Sequence, residues 1–127
     1  MGLCFQVADV KKPLVAVKRI AEKGNITQFG PEPGDNFIMN KKTGDKISLR
    51  PKGGSYVMDA KFPGGTIAEI TVDSAAEESV CPWEWGKQFG IVPVQGADRM
   101  RLVNASGGRI NHYGKRDVQV QAQLRPF

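Results

Sequence analysis

Apolar and polar residues alternate along much of the chain, which predicts a fold built mainly from short β-strands. The alternation is clearest in residues 66–73 (TIAEITVD) and 117–124 (DVQVQAQL). Between two shorter segments, Thr43-Gly44-Asp45 predicts a hairpin turn. Strands are predicted in residues 2–10, 26–30, 36–40, 46–50, 53–62 and 66–73, and on both sides of a Gly-rich hairpin within residues 99–124.

One segment departs from this pattern and predicts a single short helix at about residues 13–23. Its apolar residues recur at a helical spacing of three to four. Pro13 suits the first turn of a helix, and Gly24 suits the position just after its last turn. The apolar positions are Leu14, Val17, Ile20 and Ala21.

The length and composition fit one mostly β domain with a buried core. The chain has 127 residues, of which 40% are hydrophobic, and its 15 Gly and 8 Pro imply many turns. Residues 78–90 predict a short helical turn, from which Trp83, Trp85 and Phe89 are expected to cover the core. No apolar run reaches the length of a membrane span, and no signal peptide pattern is present, so a soluble, cytoplasmic protein is expected.

The formal net charge of +5 comes from scattered basic residues. No basic stripe interleaved with aromatic residues accompanies it, so a solvated surface is expected rather than a nucleic-acid interface. A weak role in contacting acidic partners stays open. The basic residues include Lys11-Lys12, Lys18-Arg19, Lys41-Lys42, Arg99 and Arg101.

The few residues with ligand or redox chemistry predict no metal or cofactor site. Cys4 and Cys81 lie in apolar contexts, which favours free, partly buried thiols over a disulfide. With one His and no close Cys or His pair, a structural zinc site is not expected. His112 is predicted to be a surface residue.

Asp73 ends an apolar strand and is followed by Ser-Ala-Ala, and this arrangement has two interpretations. Two such carboxylates facing each other share a proton and can activate a water molecule. A chain with one such motif needs a symmetric dimer to supply the second carboxylate. In the simpler interpretation, Asp73 only caps the turn that follows it.

The Gly-rich hairpin around residues 105–111 (ASGGRIN) also has two interpretations. A Gly-Gly pair between apolar strands is typical of a mobile tip, and such tips often cover a bound substrate. The same pattern also fits an inert surface hairpin, which the isolated motif favours. The residues alone leave both open.

Two parts of the chain resemble retropepsin-like aspartic proteases. Residues 70–82 (ITVDSAAEESVCP) resemble the active-site loop of this family, whose pattern is apolar-apolar-Asp-Ser/Thr-Gly-Ala. Residues 101–121 (RLVNASGGRINHYGKRDVQVQ) resemble the strand and flap hairpin that follow. Residues 2–49 resemble the C-terminal half of the protease region in copia-type retroelement polyproteins, through the segment Leu14-Val15-Ala16-Val17, Lys23-Gly24 and Phe29.

These regions occur in the reverse of the family order. Placing residues 66–127 before residues 1–62 restores that order, and Pro63-Gly64-Gly65 then resembles a linker between the original ends. The resemblance therefore implies a circularly permuted retropepsin-like barrel in a single domain, 1–127, with one short helix. Such permutation is tolerated when the original termini lie close together.

The resemblance implies a homodimeric aspartic endopeptidase that hydrolyses a peptide or polyprotein substrate with a water molecule held between two Asp73 carboxylates. Ser74 would hydrogen-bond the carboxylate pair, and Ala75 stands where the family usually has Gly. The implied substrate-covering flap is Ala105, Ser106, Gly107, Gly108, Arg109, Ile110 and Asn111. Two alternatives remain. One is a weakly active or inactive binding or scaffold module of the same fold, monomeric or reorganised, and the other is a basic accessory domain associated with nucleic acid.

Overall fold

The computed structural model describes residues 1–96, 100, 102–103 and 107–122, with Ala122 described by its backbone only. It confirms a mostly β chain. The elements are β1 (Gly2–Ala8), β2 (Leu14–Ala16), α1 (Val17–Glu22), β3 (Asn25–Gln28), β4 (Phe37–Asn40), β5 (Lys46–Ser48), β6 (Arg50–Lys52), β7 (Ser55–Lys61), β8 (Ile67–Asp73), β9 (Val80–Cys81), β10 (Val92–Pro93), β11 (Leu102–Val103), β12 (Arg109–Ile110), β13 (His112–Gln119) and β14 (Gln121–Ala122), with 3-10 turns at Pro33–Asp35 and Lys87–Phe89.

The main sheet brings together strands from both ends of the chain. Its order is β10-β13-β1-β9-β2-β8-β7-β14, with β6 also paired to β7. The strand β2 lies between β8 and β9, parallel to β8 and antiparallel to β9. The connection from β8 to β9, residues 74–79, therefore passes over the end of β2.

The described strands do not close into a barrel, in contrast to the barrel that the family resemblance implies. The path ends at β10 on one side and at β14 on the other, and these end strands pair with β13 and β7 rather than with each other. Each has only two residues.

The helix is shorter than the predicted range of 13–23 because its first residues form a strand. Leu14 to Ala16 pair with Thr71 to Asp73 of β8, and α1 begins at Val17. A short apolar run fits a buried strand as well as a buried helical turn, so periodicity alone could not separate the two. Gly24 adopts a φ of 87° just beyond the helix, as the sequence predicted.

Residues 63–65 close the hairpin between β7 and β8. The two strands pair from Tyr56↔Val72 to Lys61↔Ile67, and the Phe62 N–H donates to the Thr66 carbonyl at 2.8 Å. That these residues are a linker between original termini stays a prediction. The predicted turn at Thr43-Gly44-Asp45 does connect β4 and β5, and Gly44 has a φ of 76° there.

The core lies between the main sheet, α1 and the small sheet β3-β4-β5. Trp85 packs edge-on against Phe5 with ring centroids 5.0 Å apart, and Phe62 contacts both Trp85 and Phe89. Two of the three predicted aromatic residues therefore cover the core. Trp83 does not, because it is 42% exposed and packs against Tyr113 instead. Within the described ranges, no helix is long and apolar enough to cross a membrane.

Candidate active site

Asp73 is the last residue of β8, and its carboxylate organises the turn that follows. Its Oδ1 accepts a hydrogen bond from the Ala75 N–H at 2.8 Å. Asp73 is half-buried, whereas Ser74 and Ala75 are exposed. Asp, Ser and Ala thus form a tight turn, here called the Asp73 turn, that presents one carboxylate at the surface. Asp73 therefore caps the turn through Oδ1, and this bond does not use its second carboxylate oxygen, Oδ2.

Ala75 fits this turn without backbone strain. Among the described residues, only glycines have a positive φ, so the turn does not need glycine within one chain. The methyl group of Ala75 is exposed. Having Ala instead of Gly at this position therefore affects only the approach of a second protein surface to the turn.

Ser79 ties the far end of the loop to two strands. Its hydroxyl oxygen accepts the backbone N–H of Ala16 at 3.0 Å, and its carbonyl accepts the N–H of Gln6 at 2.8 Å. The side chain is 5% exposed. The loop that carries Asp73 is therefore fixed at both ends, by Asp73 itself and by Ser79.

Replacing Ser79 by Ala is expected to lower the free energy of unfolding by about 1–2 kcal/mol, because the buried N–H of Ala16 loses the hydroxyl oxygen that accepts it. Urea denaturation followed by tryptophan fluorescence measures this change. Ser74→Ala is the matched control, since the hydroxyl of Ser74 is exposed and its loss should change stability by less than about 0.5 kcal/mol. Equal effects of the two variants would contradict the anchoring role of Ser79.

The helix α1 holds the outer side of the same loop. The Arg19 Nε–H donates to the Glu77 carbonyl at 3.2 Å, and its guanidinium pairs with Glu78 and Glu22. Lys18 pairs with Glu77 at 3.1 Å. Pairs this exposed contribute little to stability, so their effect is to orient the loop rather than to hold the fold.

The Gly-rich hairpin forms as predicted, on strands separate from the main sheet. β11 pairs with β12 through Leu102↔Ile110 and Val103↔Arg109. Gly107, Gly108, Arg109 and Asn111 are exposed, and Ile110 is half-buried. The predicted flap residues Ala105 and Ser106 lie outside the described residues. The hairpin joins the body at Asn111, whose carbonyl accepts the Asp9 N–H at 3.3 Å.

His112 is buried, so the prediction of a surface histidine is wrong. It is 4% exposed; its Nδ1 accepts the Met100 N–H at 3.0 Å, and its Nε2 lies 2.8 Å from Gln6 Oε1. Since Nδ1 accepts, the neutral ring carries its proton on Nε2 and donates it to Gln6. His112 therefore connects both legs of the Gly-rich hairpin to β1 and is not available as a base.

Arg116 is a buried cation that the sequence reasoning missed. It is 3% exposed, and its guanidinium donates to the carbonyls of Gly90 at 2.7 Å, Trp85 at 2.5 Å and Trp83 at 3.0 Å. These bonds hold the segment between β9 and β10 against β13. The signal was present, because Arg116 and His112 share the inward phase of the alternation that buries Val118.

The two cysteines are free, as predicted, and differ in their surroundings. Cys4 is half-buried and Cys81 is buried. Burial raises the pKa of the Cys81 thiol to about 11, which keeps it protonated and unreactive. The described part of the chain contains no group of three or more His, Cys, Asp or Glu side chains arranged to hold a metal ion.

The Asp73 turn, its Ser79 anchor and the separate Gly-rich hairpin are thus the features on which a functional assignment depends. No protein-family model, curated protein or solved structure matches the chain.

Proposed function

We propose that the chain is an aspartic endopeptidase of the retropepsin-like, copia-type kind, active as a homodimer. The observation that carries the proposal is the Asp73 turn, in which a carboxylate stands at the end of a central strand with two small exposed residues beside it. Small side chains allow a second turn to approach closely. A two-fold axis next to the turn would place two Asp73 carboxylates face to face.

The chemistry follows from like charges at short distance. Two carboxylates in contact cannot both ionise, so the pair holds one proton. The ionised member takes a proton from a water molecule as the water oxygen attacks the carbonyl carbon of the peptide, and the protonated member gives its proton to the substrate. The exposed hydroxyl of Ser74 would hydrogen-bond the pair, and the Gly-rich hairpin would cover an extended peptide of a polyprotein.

The pairing of residue 1 with residue 120 supports the permuted order that belongs to this proposal. The Met1 ammonium donates to the Val120 carbonyl at 2.9 Å, and the Val120 N–H donates to the Met1 carbonyl at 3.0 Å. β1 and β13 continue this antiparallel pairing. In the order 66–127 then 1–62, these neighbouring strands would follow one another in sequence.

One observation favours the alternative, a binding module with the same fold but no catalysis. A methyl group from each Ala75 would lie in the contact between two Asp73 turns, where extra volume in a tight contact typically costs about 1–3 kcal/mol. A chain that cannot pair keeps a single Asp73. The oligomeric state therefore separates the two functions.

Sedimentation and peptide cleavage measured over a range of protein concentrations test the proposal. We expect a reversible dimer, and a specific activity that rises with the dimer fraction, because each active site needs two chains. Ala75→Gly is expected to lower the dimer dissociation constant about tenfold by removing two methyl groups from the contact. Cleavage of an extended peptide library at acidic to neutral pH reports activity.

The matched control is Ala76→Gly, which removes a methyl from the neighbouring half-buried position instead. A protein that stays monomeric at every concentration would contradict the two-Asp73 mechanism and favour the binding module. Activity that is independent of concentration in a monomeric sample would contradict it as well.

A further inference from the structure

A cavity of about 310 Å³ lies beside α1, and Asp73 is not among its lining residues. Leu3 of β1, Val15 of β2, Ile20 of α1 and Met100 form its aliphatic part, and Cys4 lies on its wall. This volume is at the lower end of the range for small-molecule sites. We call it the Cys4 cavity.

The charged side chains around the Cys4 cavity leave positive charge uncompensated. The carboxylates of Glu22 and Glu78 are both paired with Arg19. Lys115 also lines the cavity and has no ion-pair partner among the described residues. Lys23 uses one donor on the Gly2 carbonyl at 3.2 Å, which leaves two. The carboxylate of Asp117 lies beside the Cys4 thiol. An anion would therefore be attracted to the side of the cavity formed by Lys23 and Lys115, whose ammonium groups have no ion-pair partner among the described residues.

Two buried polar groups add unused hydrogen-bond donors to the same wall. Gln6 is 5% exposed; its Oε1 accepts from His112, while its amide nitrogen has no partner within the described ranges. Ser79, also 5% exposed, accepts from Ala16 through its hydroxyl oxygen, and its own proton has no acceptor among the described residues. Both groups can therefore donate to the oxygen of a ligand that enters the cavity.

We propose that the Cys4 cavity binds a carboxylate that carries a short aliphatic chain. The aliphatic wall accommodates the chain, and the amide of Gln6, the hydroxyl of Ser79 and the ammonium of Lys115 supply donors for the carboxylate. A volume of about 310 Å³ suits a ligand at the small end of the usual range, such as octanoate. This binding does not depend on the proposed peptidase activity.

Octanoate binding to the whole chain tests the proposal, with Cys4 as an internal reporter. We expect octanoate to bind with a dissociation constant on the order of 1 mM, as for other ligands of this size, and to slow alkylation of Cys4 by iodoacetamide. Buried Cys81 should stay unmodified throughout, which shows that the protein remains folded. Mass spectrometry of the alkylated chain and calorimetry provide the two readouts.

Lys115→Gln is expected to weaken octanoate binding about tenfold, the effect of losing one charge-assisted hydrogen bond. Lys61→Gln is the matched control, because Lys61 is exposed on β7 and is not among the lining residues. The uncharged alcohol 1-octanol should protect Cys4 much less than octanoate does. Equal protection by 1-octanol, equal weakening in both lysine variants, or no binding of octanoate to the wild type would each overturn the proposal.

Discussion

In the proposed dimeric peptidase, Asp73→Asn is expected to lower kcat/KM for peptide cleavage by at least about 100-fold, because the two facing side chains lose their ability to take a proton from water. The substitution removes the negative charge and keeps the shape of the side chain. The Oδ1 of an asparagine can still accept the Ala75 N–H, so the Asp73 turn should keep its shape. Cleavage of one defined peptide by wild type and variant, at matched dimer fraction, measures the effect.

Asp45→Asn serves as the control for this experiment, since Asp45 is exposed in the turn between β4 and β5. It should leave kcat/KM unchanged. Equal activity of Asp73→Asn and wild type would remove Asp73 from the chemistry. Thermal unfolding of both variants should match that of the wild type, so that a lost activity is assigned to the carboxylate and not to misfolding.

Arg116→Met is expected to lower the free energy of unfolding by at least about 3 kcal/mol, the second large effect that the structure predicts. Each hydrogen bond from a charged donor contributes about 1.5–3 kcal/mol, and the substitution leaves three or more carbonyl groups around the side chain without this donor. Methionine fills a similar volume, so the loss reports the hydrogen bonds rather than a cavity. Equilibrium urea denaturation measures it.

Arg109→Met makes the same chemical change at an exposed position of β12. It should alter stability by less than about 0.5 kcal/mol. A comparable loss in both variants would show that Arg116 does not hold the segment from Pro82 to Gly90. Protease digestion should also cut that segment faster in Arg116→Met than in the control.

Structural features that depend on residues close together in the sequence could be predicted from the sequence. Alternation located β1, β7, β8 and β13, and a glycine marked the turn between β4 and β5. The strand β2 could not be found in this way. Its three residues become a strand only because β8 and β9 lie on either side, and those partners are more than 50 residues away.

In the candidate site, too, local interactions could be predicted from the sequence and long-range interactions could not. The bond from Ala75 to Asp73 spans two residues, so the turn is visible in the tetrapeptide itself. The bond from Ala16 to Ser79 spans 63 residues, and nothing in the local sequence indicates it. Arg116 could have been found, because strict alternation from His112 to Val120 places it on the inward face despite its charge.

The position of β1 has a consequence for synthesis on the ribosome. β1 lies between β13 and β9, and both partners belong to the second half of the chain. The fully buried side chains of Phe5 and Val7 therefore leave the exit tunnel long before the two strands that pair with β1. A nascent chain in this state exposes apolar strand edges, which favours chaperone binding or aggregation until the last strands emerge.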